Sequence, residues 1–327
     1  MATEEPNITM WGASGSGKTA FLAALQTALI QTSTDWNLTG ADLASTEQLN
    51  EMTEIFCDNR RFPDATDAMT YYNWNLQRLV HTPQSPPPPP PAPQRRSFGR
   101  RQPPPPPFTP PPSPQPPRVE RIRLRLLDLP GGEFNQVTEG KLIDNLADSQ
   151  GILFLYDPVS EYRTGNAYRH LYKVLNLLAF KMISEDEVRL PHRIAVCMTK
   201  FDHPKVLETA RSKRLLDLDP ADERRPLVSP QQARQLFMTL CTIARNANVT
   251  QILPTLEKYF YSDRIRFFAT SAVGVYTDPD VQRFSFEDSQ NIVVDRQGTP
   301  TIRGVLRPMN VIEPVLWLGE ALEETRP

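Results

Sequence analysis

The chain has 327 residues, 39% of them hydrophobic and 23% charged, enough to bury a sizeable core in one large domain or two small ones. Thirty-six Lys and Arg face 38 Asp and Glu, a net charge of −2, which excludes a single-sign field drawing the whole chain to nucleic acid or an anionic membrane. Proline is about twice as frequent as usual at 34 residues, and more than half of these fall between Pro83 and Pro117.

Taken in chain order, NITMW (7–11) predicts a short strand leading into a glycine-rich turn, and the Ala/Leu-rich run from Thr19 to Thr32 predicts a helix. A second helix is expected from Ser45, which with Gln48 resembles a capping box, to near Asn59, with Leu49, Met52 and Phe56 on one face. Tyr71–Val80 and Val119–Asp128 read as strands, the second alternating Ile122, Leu124 and Leu126 with Arg121, Arg123 and Arg125. They predict a hairpin whose turn is replaced by residues 81–118, a disordered or polyproline II loop that cannot bury a core. That places residues 1–80 and 119–327 in one domain.

Downstream, GILFLY (151–156) reads as a buried strand and 165–184 as a helix. A strand at 193–198, a helix at 230–246, a strand at 265–270 and a helix at 311–323 follow. Strands alternating with helices predict an α/β fold, a doubly wound, mostly parallel sheet, with insertions at 203–228 and 275–310, which are rich in charge, Pro and Gly. The start MATEEPNITMWG has no basic n-region or apolar h-region, and no run of about 18 apolar residues occurs, so a cytoplasmic protein without a membrane span is expected. Cys57, Cys197 and Cys241 lack metal-ligand spacing and read as buried thiols; His203 reads as a surface loop residue.

The strongest chemical signal is Gly12-Ala13-Ser14-Gly15-Ser16-Gly17-Lys18-Thr19, which fits G-x-x-x-x-G-K-[ST] at every fixed position, between a strand and a helix. Glycines that tolerate unusual dihedrals let backbone N–H groups and a helix N-terminus surround phosphates; Lys18 adds charge, Thr19 a Mg²⁺ ligand, and Ala20 the next amide. The spacing does not fit G-x-G-x-x-G, which argues against a Rossmann site. Asp128-Leu129-Pro130-Gly131 ends a strand, where the carboxylate could reach Mg²⁺ through water and Gly131 approach a γ-phosphate. Without the phosphate loop upstream, that quartet would read as a plain turn.

Thr199-Lys200-Phe201-Asp202, after the strand RIAVCM, resembles the guanine-specificity motif [NT]-K-x-D of Ras-like P-loop GTPases, and Thr270-Ser271-Ala272 resembles the short motif whose backbone also meets the base. The resemblance implies a Ras-like domain that binds GTP or GDP with Mg²⁺. Asp202 would accept from guanine, Lys200 would pack over it, and Thr199, Ser271 and Ala272 would flank it. It also implies a switch threonine on the metal, here Thr66 with Thr70 as second choice, while Arg60 and Arg61 read as an exposed pair rather than an arginine finger. Where the family usually places a water-orienting Gln, this chain has Gly132 and then Glu133. Catalysis would fall to Lys18 and Glu133, and because positioned water and an arginine finger are worth roughly 10³ to 10⁵ in rate, slow hydrolysis is expected.

The segments FPDAT, DLPGGEF and VIEPVLWLGEAL are similar to bacterial double-GTPase-type proteins. An effector or activating protein is implied as partner, and the P-x-x-P matches with Arg95, Arg96, Arg100 and Arg101 offer either a spacer or a ligand for a polyproline-recognising partner. Two rival readings stay open: a non-hydrolysing scaffold working through the proline tract, and an ATPase of related fold.

Overall fold

The computed structural model describes residues 5–63, 69–80, 118–128, 136–183, 187–220, 222, 225–244 and 247–324. In chain order these form β1 (Asn7–Gly12), α1 (Lys18–Gln31), β2 (Asn37–Gly40), α2 (Leu43–Thr53), β3 (Thr70–Val80), β4 (Arg118–Asp128), α3 (Gln136–Ala147), β5 (Gly151–Tyr156), α4 (Pro158–Thr164) and α5 (Asn166–Met182). There follow β6 (Arg193–Met198), α6 (Pro204–Ser212), β7 (Asp217–Leu218), β8 (Pro226–Leu227), α7 (Pro230–Ile243), α8 (Ile252–Tyr259), β9 (Ile265–Ala269), β10 (Ile292–Val294), β11 (Pro300–Ile302) and α9 (Glu313–Glu324).

Seven strands form the central sheet in the order β2-β3-β4-β1-β5-β6-β9. From β4 to β9 every neighbouring pair is parallel, and only β3, which pairs antiparallel with both β4 and the edge strand β2, runs against the rest. Because side chains alternate faces along a strand, each central strand feeds two cores. Ile152, Phe154 and Tyr156 of β5, with Ile194, Val196 and Met198 of β6, meet α3, α5, α7 and α8 on one side. Leu153 and Leu155, with Ala195 and Cys197, meet α1, α2 and α9 on the other. Close approach of α9 depends on glycine: a Cβ on Gly319 would lie 2.2 Å from the Ile122 side chain.

β3 and β4 pair along their whole length, from Thr70↔Asp128 to Val80↔Arg118. Of the expected loop 81–118, Arg118 begins β4 and residues 81–117 lie outside the described residues. Residues 203–228 hold α6 and the β7–β8 ladder, while 275–310 hold the β10–β11 hairpin.

Several local expectations are corrected. Asp42, not Ser45, caps α2, its carboxylate accepting from the Ser45 backbone N–H at 2.7 Å. Ser45 is instead buried, its hydroxyl accepting from the Asn73 N–H, and Gln48 accepts from the Tyr72 hydroxyl. A side chain already serving the neighbouring strand cannot cap, and Asp42 is the acceptor placed before the first turn. The helix then continues as a π-helical stretch over Glu54–Asp58. Residues 165–184 are preceded by a separate helix, α4, because Gly165 sits at φ 63 and breaks the run. Cys197 and Cys241 are buried, but Cys57 is half-buried, since it lies beside the Thr27 hydroxyl at the end of the α1 layer rather than within the sheet. Among the described residues no helix is long and apolar enough to cross a membrane.

Candidate functional site

β1 ends at Gly12 against β5, where a Cβ would come within 2.6 Å of the Leu155 carbonyl oxygen and of Ser16 Oγ. The loop then turns through Gly15 at φ 74 and Gly17 at φ 90, left-handed values that favour glycine, and Lys18 opens α1. No side chain caps that helix, so its first amides are left for a ligand. Lys18 Nζ folds back on its own loop, donating to the Gly12 and Ala13 carbonyls at 3.2 and 3.3 Å. Burial pushes the Lys18 ammonium below its usual pKa, while the carboxylate of Asp128 pulls the other way. The Ser16 hydroxyl is buried and has no hydrogen-bond partner among the described residues.

Two further loops reach the same place from the carboxyl ends of β6 and β9. They are stitched together by backbone: the Thr199 N–H donates to Tyr156 O at 2.8 Å, Phe201 N–H to Thr270 O at 3.0 Å, and Thr270 N–H to Met198 O at 2.8 Å. Lys200 is held at φ 58, uncommon for a residue with a side chain, and its ammonium pairs with the Asp157 carboxylate. Asp157 itself caps α4 after β5, accepting from Val159 and Ser160. Asp202 is buried, and loss of hydration raises its carboxyl from an ordinary 3.8 to about 6, against a 2.5 Å hydrogen bond from the Ser271 hydroxyl and the nearby Lys200 charge. Ser271 Oγ accepts in turn from the Gly274 N–H at 2.8 Å, which fixes the direction in which it donates.

These loops surround one cavity of about 420 Å³. Ser14, Gly15, Ser16, Gly17, Lys18, Thr19 and Ala20 line one end, with Asp128 beside them. Thr199, Lys200, Asp202 and Ala272 line the other. Ser271, expected at the base, is not on the wall; it stands behind Asp202 and orients it. Gly12 is likewise a hinge of the loop. Thr66, Gly131 and Glu133 lie outside the described residues, while Thr70 begins β3. Arg60 and Arg61 are exposed, and Arg60 Nη1 donates to the Arg303 carbonyl at 3.4 Å.

The cavity also takes in residues that motif reading missed. His203, expected at the surface, is half-buried on its wall, because its ring caps α6 by accepting from the Lys205 N–H. Phe62, Pro63, Val273 and Ile292 line it as well. The pair Asp157-Pro158 after a strand carries a helix-start signal that could have disclosed the Lys200 partner. Nothing in the local sequence marks Ile292.

Thr19 and Asp128 bring a hydroxyl and a carboxylate to the phosphate end, hard oxygen donors of the kind Mg²⁺ takes. Among the described residues no group of three His, Cys, Asp or Glu could hold a metal ion.

No protein-family model matches the chain, and no curated protein matches it. Among solved structures, it is similar to the signal recognition particle receptor SRb-GTP/SRX complex from Chaetomium thermophilum, at 12% identity and TM-score 0.38, over 85% of this chain and 94% of that one. The strand order, with the glycine loop 12–19 after β1 and one antiparallel strand beside β4, decides the architecture. The fold is α/β, a mostly parallel seven-stranded sheet flanked by helices.

Proposed function

We propose that the protein is a guanine-nucleotide-binding switch that takes GTP and GDP with Mg²⁺. What supports the reading is one juxtaposition: the phosphate loop and the Lys200–Asp202 loop open on a single cavity about 420 Å³ in volume. An ionised carboxylate only accepts hydrogen bonds, so Asp202 suits guanine, whose edge offers two donors, and opposes adenine, which presents an acceptor there. That chemistry disfavours the ATPase reading.

In this proposal the amides from Ser14 to Ala20 cradle the phosphates, and Lys18 exchanges its bonds to Gly12 and Ala13 for phosphate oxygens. Thr19 and Asp128 hold Mg²⁺, which neutralises phosphate charge when bound. Thr66 and Gly131 respond to the γ-phosphate and change the surface that an effector reads. Hydrolysis is slow, because Gly132 stands where the resembling family has Gln and Glu133 is the substitute.

The test is Mg²⁺-dependent binding of fluorescent GTP, GDP and ATP analogues to wild type, Lys18→Ala and Asp202→Ala, followed by phosphate release. Selective guanine binding that both substitutions weaken is expected, with slow phosphate release. Preference for ATP, or no binding, would sink the proposal; binding with no phosphate release at all would leave a nucleotide-binding scaffold.

A further inference from the structure

The segment 275–310 is tied to both sides of the cavity. Its buried Asn291 donates to the Val273 carbonyl at 2.9 Å and the Val305 carbonyl at 3.3 Å, and accepts from the Gly304 N–H at 2.8 Å, which fastens it to the loop carrying Ala272 and Val273. In the β10–β11 hairpin Ile292 pairs with Ile302. Ile302 N–H donates to Arg60 O at 3.0 Å, and Arg61 makes an isolated bridge with Thr301, so the hairpin also holds the segment that runs on to Phe62 and Pro63. Arg303 locks the hairpin's far side with two bonds to Asp288, at 2.5 and 2.9 Å, and lies 3.5 Å from the centre of the Tyr276 ring.

This strap brings Ile292 to the cavity between Val273 and Phe62. The glycine-loop end of the cavity is lined by Ser14 to Ala20; under the strap, Ala272, Val273, Phe62 and Ile292 add apolar wall beside the charged Lys200 and Asp202. Such a pocket fits a ligand with a charged tail and a flat apolar ring.

We propose that Ile292 is a retention residue for the nucleotide's purine ring, packing on its face, and that Arg303 is a positioning residue that holds the strap over it. The inference rests on the guanine-nucleotide reading and deepens it: Asp202 reads the ring's edge, and Ile292 sets how long the ring stays. Because the strap also grips Arg60, Arg61 and the segment to Pro63, a partner that pulls on that segment would loosen the same wall and speed release.

The experiment is a stopped-flow chase of fluorescent GDP from the full chain, for wild type, Ile292→Ala, Ile292→Val and Arg303→Ala, together with displacement by inorganic pyrophosphate. Ile292→Ala is expected to release GDP roughly ten- to twentyfold faster, the order set by about two buried methylene equivalents, and Ile292→Val about threefold faster. Arg303→Ala is expected to release faster, while pyrophosphate affinity stays at the wild-type value in all three, since the phosphate end is untouched. The valine variant keeps the test decisive should the alanine variant not fold. If wild type binds guanine nucleotides and both Ile292 variants release at its rate, or lose pyrophosphate and GDP alike, the ring wall is overturned and the guanine reading survives. If wild type binds no guanine nucleotide, both fall.

Discussion

Lowering the pH from 7 to 5 should weaken guanine-nucleotide binding through one residue. The buried Asp202 carboxyl titrates at about 6 in the folded chain, against 3.8 ordinarily, and only its ionised form accepts two donors from the ring. At pH 7 about ten in eleven molecules carry the charge, and at pH 5 about one in eleven, a loss of about tenfold in affinity. Loss of hydration on burial raises the carboxyl, and it prevails over Ser271 and Lys200, which both favour the ionised form. The unliganded protein should respond in the opposite sense. A carboxyl whose folded pKa is raised adds stability that is fully present below pH 3.8 and lost as pH rises through about 6, so lowering the pH from 7 to 5 gains about 1 kcal/mol. The assay is titration with fluorescent GDP from pH 5 to 8, with pyrophosphate as competitor, on wild type and Asp202→Asn. Phosphate ionises in the same range, and Asp202→Asn retains that contribution while losing the carboxyl's own. A pH slope equal in the two proteins would refute the reasoning.

Ser271→Ala removes the donor to Asp202 and should move the same binding midpoint upward in pH, weakening GDP at pH 7 with no effect on pyrophosphate, read from the same titrations. Gly12→Ala forces a methyl to within 2.6 Å of the Leu155 carbonyl and should cost about 1–3 kcal/mol of stability, seen as a lower midpoint in denaturant. Thr19→Ala should abolish most of the Mg²⁺ dependence of nucleotide affinity while leaving metal-free binding nearly intact, which a titration with and without chelator would report.

What could be read in advance divides along physical lines. Strands such as GILFLY, buried on both faces, and the eight-residue phosphate loop carry their information locally, and both lie where periodicity and motif put them. Helices α3, α6 and α8 were not anticipated, because short or mixed amphipathic stretches owe their helicity to tertiary packing rather than to propensity. Ser45 misled because a capping pattern says nothing of the strand that claims its hydroxyl. At the site, Lys18, Thr19, Lys200 and Asp202 were legible from spacing. Ile292 was not, since it reaches the cavity only through a fold-level meeting of segments far apart in sequence, for which no local pattern exists; Asp157 showed only a helix-start signal, and His203, next to Asp202, is on the wall because it caps α6.

The pairing of β3 with β4 fixes where foreign chain can be spliced in. Thr70 and Asp128 sit together at the cavity end, and Val80 and Arg118 at the opposite tip, ten residue steps away, or about 33 Å along the strands. Because Val80 and Arg118 are already neighbours, a reporter domain whose termini lie close together could replace residues 81–117 there, carried like a flag on a pole, and report on the protein without shadowing its cavity.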